Sequence, residues 1–259
     1  MSATYSNNNL AIIILAAGKG KRMLNPNLPK VLSKINDKPL IAYVVDTAIS
    51  LNPYRIVVVV GFHKDLVIDF LKSYSTARLD FVEQKEQLGT GHAVAQAEGM
   101  LRNFDGDVMI LCGDVPFLEL RTLRNFLGHH RNENADISVL TTYADEPKGY
   151  GRIIRNKQGE LARIVEEKDA TEEQKQVKEI NSGVFLVKSK LLFPALKMLS
   201  NANSQGEYYL TDIVEILLSS GNKATAFPGA DFQELQGINS PSELEQAERY
   251  LNTKNNNYL

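Results

Sequence analysis

The 259-residue chain carries 29 basic and 31 acidic side chains, a net charge of −2, which excludes a broad basic face for nucleic acid. Its one Cys excludes an intramolecular disulfide and any multi-thiolate zinc or iron–sulfur site, and points to a reducing compartment. At about 150 residues per domain the length allows one large α/β domain or two small ones, with a core that needs no staples. Residues 1–9 are polar and uncharged, unlike the start of a secretory signal. The apolar run at 10–17 falls well short of the roughly 20 residues of a membrane span. The chain therefore reads as a soluble, cytoplasmic globular protein.

Both ends are Asn-rich, at 7–9 and 255–257, and are expected to be mobile tails. No repeat at solenoid or β-helix period lies between them. The expected divisions are a tail at 1–9, a domain at 10–240, and a helix with a polar tail at 241–259.

Strand and helix signals alternate. Leu10–Ala16 is an unbroken aliphatic run, as in a strand buried on both faces. Pro39 can open a helix whose one face carries Leu40, Val44 and Ala48. Arg55–Val60 reads as a strand, 65–71 as a helix and 79–82 as a short strand. Thr90 can cap a helix over 93–100. A strand at 108–112, a helix near 121–130 and a strand at 137–142 complete an open, mostly parallel sheet with helices on both faces. Short strands near 151–155, 161–166 and 180–187 predict a small β-rich insertion. Helices follow at about 190–199 and 210–219, and a last one at 241–251 is capped by Ser240.

Ligands of open parallel sheets bind outside the carboxyl ends of the strands. The first strand runs straight into Leu15-Ala16-Ala17-Gly18-Lys19-Gly20-Lys21-Arg22-Met23. Small residues admit a ligand close to the backbone, and Lys19, Lys21, Arg22 and Lys30 supply positive charge, which together suit a polyphosphate. A solvated basic loop is the other reading. Met23 stands where a dinucleotide fingerprint needs its third Gly, and no Gly-Lys-Ser/Thr follows as in a Walker loop. Gly89-Thr90-Gly91 reads as a helix-entry turn. Asp114, in Cys112-Gly113-Asp114-Val115-Pro116, closes a strand and is either a Mg²⁺ ligand or a loop cap. Cys112 reads as a packed strand residue. The four His and the carboxylates form no evident nucleophile–base set. An ionised phosphate monoester as nucleophile would explain this, because it needs positioning and charge neutralisation and no general base.

Taken in order, these segments resemble one family. Leu15-Ala16-Ala17-Gly18-x-Gly20-x-Arg22-Met23 and Leu28-Pro29-Lys30 look like the signature of sugar-phosphate nucleotidyltransferases. Gln84-x-x-Gln87-Leu88-Gly89-Thr90-Gly91-His92-Ala93 and Gly113-Asp114-Val115-Pro116 narrow the resemblance to bacterial N-acetylglucosamine-1-phosphate uridyltransferases. Gly149-Tyr150-Gly151-Arg152, Val165-Glu166-x-Lys168-Asp169, Glu179-Ile180-Asn181-Ser182-Gly183, Gln205-Gly206-Glu207-Tyr208-Tyr209-Leu210-Thr211-Asp212 and Gly237-Ile238-Asn239 continue in the family's order.

The resemblance implies a Rossmann-like nucleotide-diphospho-sugar transferase fold, α/β with a mostly parallel central sheet and a β-rich sugar-binding insertion. It implies that UTP and N-acetylglucosamine-1-phosphate give UDP-N-acetylglucosamine and pyrophosphate, with Mg²⁺ as cofactor. Leu15, Ala16, Ala17, Gly18 and Gly113 would line the nucleotide pocket, with Gln84, Gly89 and Thr90 reading the uracil edge. Arg22 and Lys30 would hold the phosphates. Asp114 and Asn239 would bind Mg²⁺. Gly151, Glu166 and Asn181 would hold the amino-sugar.

Singly, Glu166 also reads as an exposed strand-end charge, Asn181 as a turn former and Asn239 as the entry to the last helix. Cys112 stands where some relatives carry an aromatic residue beside the nucleotide. Another sugar phosphate, another triphosphate, or a non-catalytic nucleotide-sugar binder are the alternatives. Bifunctional relatives continue into a left-handed β-helix that transfers acetyl groups and drives trimerisation. The length here leaves no room for it, so acetyl transfer and a trimer are not expected.

Overall fold

The computed structural model describes residues 9–25 and 27–256. The expected N-terminal tail lies outside the described residues except for Asn9.

The long aliphatic runs form the middle of the sheet. β1 (Leu10–Ala16) is followed by two 3₁₀ turns, Lys21–Met23 and Lys30–Leu32, and a small hairpin of β2 (Lys34–Ile35) and β3 (Lys38–Pro39). Then come α1 (Leu40–Ser50), β4 (Arg55–Val60), α2 (Lys64–Tyr74), β5 (Asp80–Glu83), α3 (Thr90–Ala95), α4 (Glu98–Leu101), β6 (Asp107–Cys112), α5 (Leu120–Asn132) and β7 (Ile137–Tyr143). β8 (Arg152–Arg155), β9 (Leu161–Val165), α6 (Glu172–Lys175), β10 (Glu179–Lys188), α7 (Ser189–Leu196), a 3₁₀ turn at Leu210–Asp212, α8 (Ile213–Ser219), β11 (Ala224–Phe227), α9 (Phe232–Leu235) and α10 (Pro241–Asn256) complete the chain.

The sheet order is β11-β7-β10-β6-β1-β4-β5. β6, β1, β4 and β5 are parallel neighbours, as are β7 and β11, while β10 runs antiparallel between β6 and β7. The sheet is thus mostly parallel, as the sequence predicts. The period of two sends Leu10, Ile12, Ile14 and Ala16 into one core, shared with α1, α2 and α5. Ala11 and Ile13 face a second core with α3, α7 and α8. A strand buried on both faces cannot alternate apolar with polar, which is why β1 reads as a solid aliphatic run.

Some expectations are corrected. The helix expected through residue 100 is broken: Gln96 and Ala97 donate to Ala93 and Val94, i to i−3 bonds that tighten and end α3 before α4 begins. Thr90 is not its cap. Gly89 holds that position, and the Thr90 hydroxyl accepts the Leu210 N–H instead, at 3.0 Å. The β-rich insertion is a hairpin of β8 and β9 that joins the main sheet through β10. Ser240 does cap α10, accepting the Glu243 N–H at 3.3 Å, but the helix runs on through Asn256 into the expected tail. Ala247 anchors α10 in a third apolar cluster with Ile35, Leu40 and Ile238.

Candidate active site

Three parallel strands end side by side and build an open cleft of about 520 Å³. Leu15 and Ala16 at the end of β1, and Ala17, Gly18, Lys19 and Gly20 just past it, line the cleft. Gln84, Gln87, Gly89, Thr90 and Ala93, past the end of β5, line it together with Glu207, which lies against Gly89, and Lys30, Val31, Cys112 and Asp114 complete the lining. The expected nucleotide residues thus converge, apart from Gly113, which stands behind the lining. Its N–H donates to the Leu15 carbonyl at 2.9 Å, and a Cβ there would meet that oxygen at 2.9 Å.

Two glycines are fixed by close approach. Gly20 has φ of +58°, and a Cβ on it would strike the Lys30 Cβ at 2.5 Å, so the basic loop rests on the lysine. Gly89 has φ of +110° and lies against Tyr208, whose backbone bonds both ways: its N–H to Leu88 O and its carbonyl from Gly91 N–H, each at 2.8 Å. Gln84, 3% exposed, sends its amide nitrogen to the Gly89 carbonyl at 3.0 Å and to His92 Nδ1 at 3.1 Å.

Lys30, Asp114 and Asn239 meet across 209 residues of chain. The Lys30 ammonium donates to Asp114 Oδ2 and to Asn239 Oδ1, the latter at 2.7 Å. The Asn239 amide nitrogen donates to Gly237 O at 3.0 Å, which turns its oxygen toward the lysine. Ile238 N–H donates to the Asp114 carbonyl at 2.9 Å and holds the two loops together. Lys30 was expected on phosphate; here it rests on the two expected metal ligands. Arg22 is exposed on its 3₁₀ turn, outside the cleft lining, but its charge reaches Tyr150 and works against burial, which raises that phenol.

The antiparallel β10 puts its first residues at the edge where the parallel strands end. Ile180 pairs with Arg152, and Arg152 with Val165. One step on, Gly151 lies between Asn181 and Glu166. Asn181 N–H donates to Gly151 O at 2.9 Å, and a Gly151 Cβ would sit 3.5 Å from Glu166 Oε2 and 3.6 Å from the Asn181 Cβ. The three expected sugar residues therefore share one cradle beside the cleft. Glu166 Oε1 accepts from the Thr211 hydroxyl at 3.0 Å. Burial pushes its carboxyl above the usual range, Asp212, Asp169 and Glu207 add to this, and the Thr211 bond opposes it.

Cys112 separates cleft from cradle. Its sulfur lies 3.7 Å from the Gly183 carbonyl, and burial pushes the thiol to about 12, so it is not a nucleophile at neutral pH. Sequence reasoning gave no role to Gln87 or Glu207, which line the cleft, although both stand in the motifs quoted. It also passed over Glu243, whose place three residues after Ser240 is a capping-box signal.

No helix among the described residues is long and apolar enough to cross a membrane. The chain is 45% identical over 252 residues to the bifunctional protein GlmU of Geotalea uraniireducens, covering 97% of this chain and 54% of that protein. It is 42% identical to GlmU of Enterococcus faecalis, over 96% of this chain and 53% of that protein. The chain thus spans about half the length of these relatives. Among solved structures, UDP-glucose pyrophosphorylase complexed with UDP-glucose superposes with a TM-score of 0.77 at 21% identity, covering 94% of this chain and 98% of that one. The apo form of a UDP-glucose pyrophosphorylase gives 0.75 at 19%, covering 95% and 98%. At such identity these two show the fold alone. The nucleotidyl transferase family matches residues 11–235, from the first strand past the last strand of the sheet, and the chain belongs to that family.

Proposed function

We propose that the chain is a uridylyltransferase that makes UDP-N-acetylglucosamine and pyrophosphate from UTP and N-acetylglucosamine-1-phosphate. The observation that carries this reading is the meeting of a nucleotide-sized cleft, the Lys30–Asp114–Asn239 cluster and the Gly151–Glu166–Asn181 cradle along one edge of the sheet. Uridine and the amino-sugar as substrates rest on the resemblance of the sequence motifs, and the match to the GlmU relatives over nearly the whole of this chain is in keeping with that resemblance.

Uracil presents an N3–H donor where cytosine presents an acceptor. With its amide nitrogen committed to Gly89 and His92, Gln84 has its carbonyl oxygen to offer that donor. The sugar phosphate is largely ionised at neutral pH. Its oxygen attacks the α-phosphorus in line; a P–O bond forms, the bridge to the β-phosphate breaks, and pyrophosphate leaves with the electron pair. The cradle holds the sugar so that this oxygen faces the cleft. Lys30 and Arg22 stabilise charge moving onto the leaving group.

Mg²⁺ fits the donor set. Asp114 and Asn239 turn two hard oxygens toward one point, where they already share the Lys30 cation. No group of three or more His, Cys, Asp or Glu forms a metal cage among the described residues, which suits an ion that completes its shell with phosphate and water. Bound there, Mg²⁺ would supply charge neutralisation across the reacting phosphates.

Pyrophosphate release across a panel of nucleoside triphosphates and sugar-1-phosphates tests the proposal. Fastest release with UTP and N-acetylglucosamine-1-phosphate is expected. A clear preference for another pair would replace these substrates, and tight UDP-sugar binding without release would make the chain a sensor.

A further inference from the structure

We infer that Glu243 is a positioning residue for Asn239, an inference that rests on the cation-binding role proposed above for that asparagine. In α10, Ser240 is the cap, Pro241 the first helical residue and Glu243 the third. In an ordinary capping box the third-position carboxylate reaches back to the N–H of the cap residue itself. Here it reaches one residue further: Glu243 Oε2 accepts the backbone N–H of Asn239 at 2.6 Å.

Asn239 is thereby tied at three points. Its N–H is held by Glu243, its amide nitrogen by Gly237 O at 3.0 Å, and its oxygen faces Lys30 at 2.7 Å. The side-chain bond to Gly237 closes only if the Asn239 backbone is turned correctly, and the Glu243 bond sets that turn. Glu243 is itself anchored: its N–H donates to Ser240, and its helix is pinned through Ala247 to Ile35, Leu40 and Ile238. The rigid helix end thus carries the orientation of the Asn239 oxygen, in the way that outer-shell partners orient ligands at metal sites.

Divalent cation affinity is the direct readout. Mn²⁺ binding to the full chain, with UDP-N-acetylglucosamine saturating, is measured from the loss of the free-ion EPR signal. Glu243→Ala is expected to weaken Mn²⁺ by about tenfold or more, the usual cost of losing an outer-shell partner. Glu243→Gln keeps an acceptor of the same length and is expected to stay within about threefold of the parent. Ser240→Ala removes the cap of the same helix and leaves the Asn239 bond, so its Mn²⁺ affinity is expected to match the parent even where its Tm falls. If Glu243→Ala does not fold, Glu243→Asp takes its place; it is one methylene too short to reach and should also weaken Mn²⁺. Parent-like Mn²⁺ binding in Glu243→Ala or Glu243→Asp, with Asn239→Ala weakened, overturns the positioning role alone. Equal weakening in Ser240→Ala does the same, since it leaves only general helix capping. Parent-like binding in Asn239→Ala, or no Mn²⁺ site in the parent, overturns the metal-ligand reading and this inference with it.

Discussion

At Lys30 one ammonium serves two oxygens that a divalent cation would also seek. The side chains of Lys30 and Asp114 are only 15% and 18% exposed, so their charges are less screened than those of a surface pair. Asp114→Asn keeps the volume and one acceptor for Lys30 but removes the negative charge. Turnover is expected to fall by about 10²–10³-fold, the scale of losing one preorganised charge contact, with Tm close to the parent's. Near-normal turnover of Asp114→Asn at limiting Mg²⁺ would take Asp114 out of the cation site. Lys30→Ala is expected to lower kcat by a similar factor, because under the proposed mechanism the lysine stabilises charge that develops only as pyrophosphate leaves. Steady-state kinetics decide this: a change confined to KM means the lysine binds ground and transition states alike.

Elements decide how those residues are held. Gly89 caps the start of α3 because only a glycine takes φ of +110° with a neighbouring backbone at such close range; a Cβ would lie 2.6 Å from Tyr208 O. Gly89→Ala must break the paired bonds to Tyr208. It is expected to lower Tm by roughly 4–8 °C, from a penalty of about 2 kcal/mol, and to raise the KM for UTP more than that for the sugar phosphate. An unchanged melting curve would show that the contact is not needed. The 3₁₀ turn before α8 ends on Asp212, whose carboxyl is pushed up to about 6 by burial, then by the Glu215 and Asp169 carboxylates. A carboxyl raised on folding binds its proton more tightly in the native state, so its stabilising contribution is present below the ordinary value of 3.8 and is lost as pH rises through about 6. Asp212→Asn should therefore raise Tm at about pH 8 by a few degrees and change it little near pH 4; an equal shift at both values in thermal melts would contradict this. The elements themselves are unequally legible. β1 and β4 announce themselves because both faces are buried and every residue is apolar apart from Arg55 at the start of β4. β11, Ala-Thr-Ala-Phe, is a four-residue edge strand with every residue half-buried, so it has neither a long run nor a clean alternation and goes unread. The split between α3 and α4 is equally silent, since i to i−3 bonding at Gln96 and Ala97 leaves no compositional mark.

Across the whole molecule, the sheet assembles a site whose parts are far apart in sequence. Single motifs show which strand ends carry unusual residues: Gly18 after β1, Gln84 after β5, Asp114 after β6. They do not show that Lys30 would lie on Asp114 and Asn239, or that Glu243 would hold Asn239, because these contacts come from tertiary packing of the last helix. Nor does the sequence show that β10 is reversed, and that reversal is what brings Asn181 to the edge where β1 and β6 end. Between Asn181 and Phe185 the register of β10 shifts, and Gly183 sits in the shift with φ of +80°. A Cβ on Gly183 would meet the Cys112 sulfur at 2.9 Å, so the proposed sugar cradle on β10 and the proposed nucleotide cleft at β6 touch through this pair. Gly183→Ala adds a methyl group against that sulfur and strains the backbone; it should raise the KM for sugar phosphate more than for UTP and lower Tm. Cys112→Ala, with a thiol held near 12 and therefore without nucleophilic work, should keep nearly full turnover. In the double variant the space left by the sulfur removes the clash but not the backbone strain, so part of the lost stability should return. A coupling of about 0.5 kcal/mol or more between the two substitutions, from denaturant melts of the four proteins, is the expected result. Strict additivity would mean that cradle and cleft are held independently and that Cys112 transmits nothing between them.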